Sequence, residues 1–187
     1  MHRLFRPIRL VTILLIAITT SVCSAQSPKP AEPQGAWKIT VAQETEPGER
    51  LVVSGTVFDS AGAPLAGASV YVYHTDINGH YSGETTNSSN PRLNGTMRTN
   101  AQGRYEFETI KPGPYPSARV PAHIHFVVNA PGHKQKIFEI VFEGDGFIND
   151  EIRNDAKNED GMFSIRALQK DKDGKLRCVQ DIKLRGQ

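Results

Sequence analysis

Apolar residues in this chain recur at every second position over short runs, and turn residues cut each run before a helical period can develop. Leu51–Phe58 (LVVSGTVF) and Ala68–Tyr73 (ASVYVY) are two such runs, with SAGAPLAG turning between them at 60–67. Arg104–Thr109, Ala122–Val128, Ile137–Phe142, Met162–Ala167 and Lys175–Leu184 are five more, separated by NAQG, PGPYP, Pro131-Gly132 and DKDG. Short alternating runs bounded by Gly, Pro, Asn and Asp read as strands, and at least seven of them predict an all-β antiparallel sandwich. Residues 144–161 (GDGFINDEIRNDAKNEDG) are acidic and weakly patterned. They predict a long surface loop with room for one helical turn. Thr85–Gly95 (TTNSSNPRLNG) also reads as a loop, one that forms pocket walls. In the last run, Leu176, Cys178, Ile182 and Leu184 share one strand face, so Cys178 reads as core packing.

The N-terminus has a different texture. Arg3, Arg6 and Arg9 precede a nine-residue apolar stretch, Leu10–Ile18, and Cys23-Ser24-Ala25 supplies a small-x-small cleavage site. The apolar stretch is about half the ~20 residues a spanning helix needs. Residues 1–25 are therefore expected to be a signal peptide, with export to a periplasmic or extracellular space and no stable membrane insertion. Residues 26–36 (QSPKPAEPQGA) read as a Pro-rich linker, leaving 37–187 as one sandwich domain. Removing the three arginines turns the formal charge of +2 into −1, because residues 1–25 contain no acid. That balance predicts no nucleic-acid partner. Only Cys178 would remain, so no internal disulfide is expected.

The chemistry concentrates in Pro121-Ala122-His123-Ile124-His125-Phe126. On a strand His123 and His125 face one way and Ile124 and Phe126 the other, which makes the two imidazoles half of a metal site. An isolated His-x-His is equally a pair of hydrogen-bonded surface histidines. Upstream, PGPYP holds Tyr115 in a stiff loop, and Gly79-His80-Tyr81 follows a strand and a turn. Either tyrosine alone reads as packing.

Together these positions resemble the intradiol ring-cleavage dioxygenases, a family with a transthyretin/Ig-like sandwich. GTVFD (55–59), GAPLAGA (62–68), VYVYHTD (70–76) and GHYS (79–82) are similar to the family's first signature; GRYEFETIKPGPYP (103–116) and PAHIHF (121–126) are similar to the second. The resemblance implies iron(III) held by Tyr81, Tyr115, His123 and His125, with a small aromatic diol and O2 as substrates and a diacid as product. Phenolates suit this hard ion and favour its ferric state. The chain departs from the pattern at three places. Val120 stands where aromatic-degrading members often carry arginine, leaving Arg119, one residue earlier, as the candidate catalytic donor. Glu139 falls where a glutamine is common, free to pair with Arg119, and Tyr71 replaces an acid. Two other readings stay open at this stage: a non-catalytic transthyretin-like module that binds a metal or another ligand, and a His-x-His site for copper or zinc.

Overall fold

Alternation along the strands builds two facing layers in the computed structural model, which describes residues 35–187. The expected signal peptide, 1–25, and most of the expected linker, 26–36, lie outside those residues. One sheet is ordered β1 (Lys38–Thr40), β5 (Arg104–Ile110), β2 (Arg50–Phe58), β10 (Leu176–Val179), β9 (Gln169–Lys170), with β11 (Ile182–Lys183) also on β2. The other is ordered β4 (Leu93–Arg98), β3 (Ser69–His74), β6 (His123–Asn129), β7 (Lys136–Phe142), β8 (Phe163–Arg166). Every second residue points inward, so Leu51, Val53, Val70, Val72, Phe107, Ile124, Phe126, Phe138 and Ile140 form one shared core. Phe126 stacks on Phe138 at 4.9 Å between ring centres and meets Phe107 and Tyr105 of the opposite sheet.

The sandwich differs from the expected one in strand direction. The central pairs are antiparallel, but β1–β5, β10–β2, β11–β2 and β7–β8 are parallel. A parallel neighbour needs a long crossover. Residues 143–162 provide it for β7–β8, and the acidic loop is therefore a crossover carrying one short helix, α1 (Asp150–Asp155), capped by the Asn149 side chain. The expected strand 175–184 is interrupted at Gln180-Asp181. There the Gln180 carbonyl is pressed against Gly55, where an added Cβ would lie 1.9 Å away, and it accepts the Tyr105 hydroxyl. The inward alternation continues through Leu176, Cys178, Gln180, Ile182 and Leu184. Cys178 is core packing, and burial pushes its thiol up to about 11. No helix among the described residues is long and apolar enough to cross a membrane.

One polar bridge ties the sheets together. His74 of β3 is fully buried, with Nδ1 against the Thr75 carbonyl at 2.7 Å and Nε2 against Thr109 Oγ1 of β5 at 2.6 Å. Burial lowers its pKa from 6.5 to about 4. The unfolded chain therefore binds more protons than the fold between those values, and stability is lost as pH falls through that window. The group is wholly buried, so the loss reaches about 3 kcal/mol. His74→Asn is expected to flatten the pH dependence of chemical unfolding between pH 4 and 6.5; an unchanged slope would remove His74 as its source.

Candidate metal centre

The site is assembled from two loops and one strand. Asp76 makes the first turn: its Oδ1 accepts the N–H groups of Asn78 and His80, and its carbonyl accepts that of Gly79. Gly79 takes φ +83°, and a Cβ there would sit 2.0 Å from the Pro114 carbonyl. The Tyr81 loop thus lies directly against the Tyr115 loop, sealed by Gly113 N–H to the Asp76 carbonyl and by the Thr75 hydroxyl to the Gly113 carbonyl. Gly113 reciprocates, since its own Cβ would meet the Ile77 carbonyl at 2.2 Å. Tyr81 is further fixed by backbone bonds to Thr85 and Arg92 and is only 1% exposed, whereas Tyr115 is half-buried.

Against these loops β6 presents its outward-facing histidines, and four donor atoms converge. Tyr81 Oη lies 2.7 Å from Tyr115 Oη and 2.7 Å from His125 Nε2. Tyr115 Oη lies 3.2 Å from His123 Nε2, and the two Nε2 atoms are 3.1 Å apart. The far side of each ring sets its tautomer. His123 Nδ1 donates to the Pro121 carbonyl at 2.8 Å, and His125 Nδ1 to Glu139 Oε1 at 3.1 Å. Both Nε2 atoms therefore carry no proton and point their lone pairs inward, where the Tyr81 and Tyr115 hydroxyls can donate to them. Burial keeps His123 neutral by lowering its pKa, and pushes the Tyr81 and Tyr115 phenols above their usual range. A cation among the four donors changes this: it turns the inward lone pairs into ligands and favours phenolate over phenol. Separations of 2.7–3.2 Å are those of adjacent ligands around one ion with bonds of about 2 Å. The donor set fits a hard trivalent cation.

Glu139, which stands where the family often has a glutamine, takes His125 as its partner. It lies opposite His125 in the β6–β7 register and holds the ring from behind, so the expected Arg119–Glu139 pair does not form. Burial alone would raise its pKa, but the His125 hydrogen bond and both imidazoles outweigh that and leave it lowered. His123, His125 and Glu139 also bring one donor atom each within 4.8 Å of one another. The phenolic oxygens are nearer the convergence, and Glu139 engages Nδ1, so its role is to orient the ring. Tyr73, the other cross-strand neighbour of His125, stacks on it at 4.3 Å and 9°. Arg119 is not drawn into the cluster: it is exposed, with its guanidinium 5.9 Å over the Phe147 ring.

A family model described as Dioxygenase matches residues 27–186. Catechol 1,2-dioxygenase 2 of Acinetobacter lwoffii is 35% identical over 124 residues, covering 58% of this chain and 45% of that protein. The catechol 1,2-dioxygenase structure from Pseudomonas arvilla C-1 superposes with a TM-score of 0.61 at 28% identity, covering 84% of this chain and 60% of that one. The dioxygenase domain of a dioxygenase–carbohydrate-binding fusion from Streptomyces sp. SirexAA-E gives a TM-score of 0.62 over 88% of this chain and 96% of that one. At 24% identity this last likeness concerns the fold alone. The chain spans about half the length of the curated relatives it matches, between 45% and 51% for the first three.

Proposed function

The chain belongs to the intradiol dioxygenase family, and from that premise we propose that it opens a catechol-type ring between the two hydroxyl-bearing carbons, using ferric iron and O2. The observation that carries the proposal is the convergence of Tyr81, Tyr115, His123 and His125 on one point, with both histidines locked to present bare Nε2 atoms. Tyr81, Tyr115, His123 and His125 would hold ferric iron there, and the ion would supply Lewis acidity toward a deprotonated diol.

The chain's own residues divide the remaining work. Tyr81, enclosed and tied by its backbone, stays as a fixed ligand. Tyr115 would be the second phenolate donor; it is the more exposed of the two phenols, so its oxygen can hold a proton that an incoming diol gives up. Glu139 keeps the His125 ring in place and offsets part of the cationic charge. Arg119, placed on Phe147, belongs to loop packing and not to the reacting atoms. Arg119→Ala is accordingly expected to leave turnover within about threefold of wild type, less than 1 kcal/mol of barrier. A hundredfold fall with iron retained would return Arg119 to catalysis. With Val120 in the arginine position, developing charge lacks a donor that is often worth on the order of 3 kcal/mol, so the enzyme is expected to be slow on simple catechols.

The iron-loaded protein should be coloured, with a visible band from phenolate-to-iron charge transfer. Tyr115→Phe should shift that band while the ring still packs and the protein stays folded. A colourless iron-loaded protein would favour the non-catalytic module. We also propose that the protein works outside the cytoplasm after cleavage behind Ala25, which the basic, apolar and small-residue order of residues 1–25 supports. Terminal sequencing of the recovered protein should then start at Gln26; Met1 retained in a cytoplasmic fraction would contradict this.

A further inference from the structure

A cavity of about 270 Å³ lies away from the metal centre, lined by β7, β8, the residues after α1 and the 180–183 segment, and shares no residue with the metal set. Strand alternation puts Lys136 and Phe138 on the inner face of β7. The register pairs Arg166, the last residue of β8, with Phe142 at the far end of that face. Lys136 and the Arg166 position are thus about 20 Å apart along the strands at the backbone. Both side chains nevertheless line the one cavity and lean toward each other. The Lys136 ammonium lies 5.7 Å over the Phe138 ring, and Arg166 Nη2 donates back to Ser164 Oγ at 2.7 Å. Phe138 stands between their positions along β7, and apolar Ile182 lines the same cavity.

Four cations line the cavity: Lys183 pairs with Glu159, exposed Lys157 donates to Asn154 Oδ1, and Lys136 and Arg166 share a second property. Among the described residues neither forms an ion pair. Lys136 donates to the Glu159 carbonyl, and burial lowers its pKa despite the nearby Asp160 and Glu159. Arg166 uses three of its five N–H groups, all on neutral acceptors: Gln180 Oε1, the Ile165 carbonyl and Ser164 Oγ. One N–H remains on each terminal nitrogen, the spacing a carboxylate takes in a forked pair. The acids on the cavity wall are engaged elsewhere, Glu159 with Lys183 at 3.6 Å and Asp181 with the Thr56 N–H at 2.8 Å. A cation at each end with an apolar middle is complementary to a linear molecule carrying an acid at each end.

We propose that this cavity binds a linear dicarboxylate, with one carboxylate at Lys136, the other on the Arg166 fork, and the chain between them over Phe138 and Ile182. The test is calorimetric titration of the full, iron-loaded protein with adipate, hexanoate and inorganic phosphate at 0.15 M salt, following the visible band in parallel. Adipate should bind at least tenfold more tightly than hexanoate or phosphate without moving the band. Lys136→Met should reduce adipate to the affinity of hexanoate; Arg166→Lys, which keeps the charge and loses the fork, should weaken both acids. Equal affinity for adipate and hexanoate would overturn the two-ended site, and phosphate binding as well as adipate would reduce it to unspecific charge. No adipate binding, or binding that moves the band and survives Lys136→Met, would also refute it.

Discussion

His125→Ala is expected to remove most of the bound iron, weakening affinity by more than about a hundredfold. The magnitude follows from comparison with a residue one shell further out, since removing a partner that only orients a ligand typically costs 10–100-fold in metal affinity. His125 is itself one of four donors, at 2.7 Å from Tyr81 Oη and 3.1 Å from His123 Nε2. Among the described residues no neighbour is placed to replace it: Ile124 and Phe126 point into the core, and Glu139 stands behind the ring. Fold stability should change little by comparison, because the ring is at the outer face of the sheet. Glu139→Ala should reproduce a weaker version of the loss, and Glu139→Gln, which keeps an acceptor for Nδ1, a weaker one still. Metal analysis after gel filtration reads all three. Equal iron content in wild type and His125→Ala would refute the ligand assignment.

Gly79→Ala is expected to be nearly as damaging to the site without touching a ligand. Its φ of +83° strains any other residue, and the added Cβ would lie 2.0 Å from the Pro114 carbonyl. Relief requires the Tyr81 and Tyr115 loops to separate, which breaks the 2.7 Å contact between the phenolic oxygens. The hydrophobic core is built from other elements, so the sandwich should still fold. The expected result is a cooperative unfolding transition shifted down by a few kcal/mol at most, with iron binding and visible colour both lost. Full colour in Gly79→Ala would show that the two loops are not held by this contact.

The strands that carry the core were legible because burial on one face imposes a period of two, and β2, β3, β5, β6 and β7 fall within a residue of the expected bounds. The short edges were not. In β4 only Leu93 and Met97 are fully buried, while Asn94 and Thr96 face solvent and Gly95 makes room for Ile39, so the segment reads as a loop. β1 is three residues long and too short to show alternation. Parallel pairing depends on where a crossover returns, which no local pattern encodes. For the site, the resemblance named four residues that the structure brings together. Glu139 and Tyr73 were invisible as partners of His125 because their relation to it is cross-strand register, a property of three strands at once. The departure at Val120 was legible, but the position of Arg119 over Phe147 depends on the fold of the 144–161 segment.

The central claim is that two phenols and two imidazoles hold an iron that directs oxygen between the hydroxyl-bearing carbons of a catechol. It is tested most directly by turnover of the iron-loaded protein with catechol under isotopically labelled dioxygen, followed by mass analysis of the product. The account predicts a ring-opened diacid of the cis,cis-muconate type containing both labelled oxygen atoms. A semialdehyde from cleavage beside the diol, or no oxygen uptake from a fully iron-loaded protein with any catechol, would contradict it.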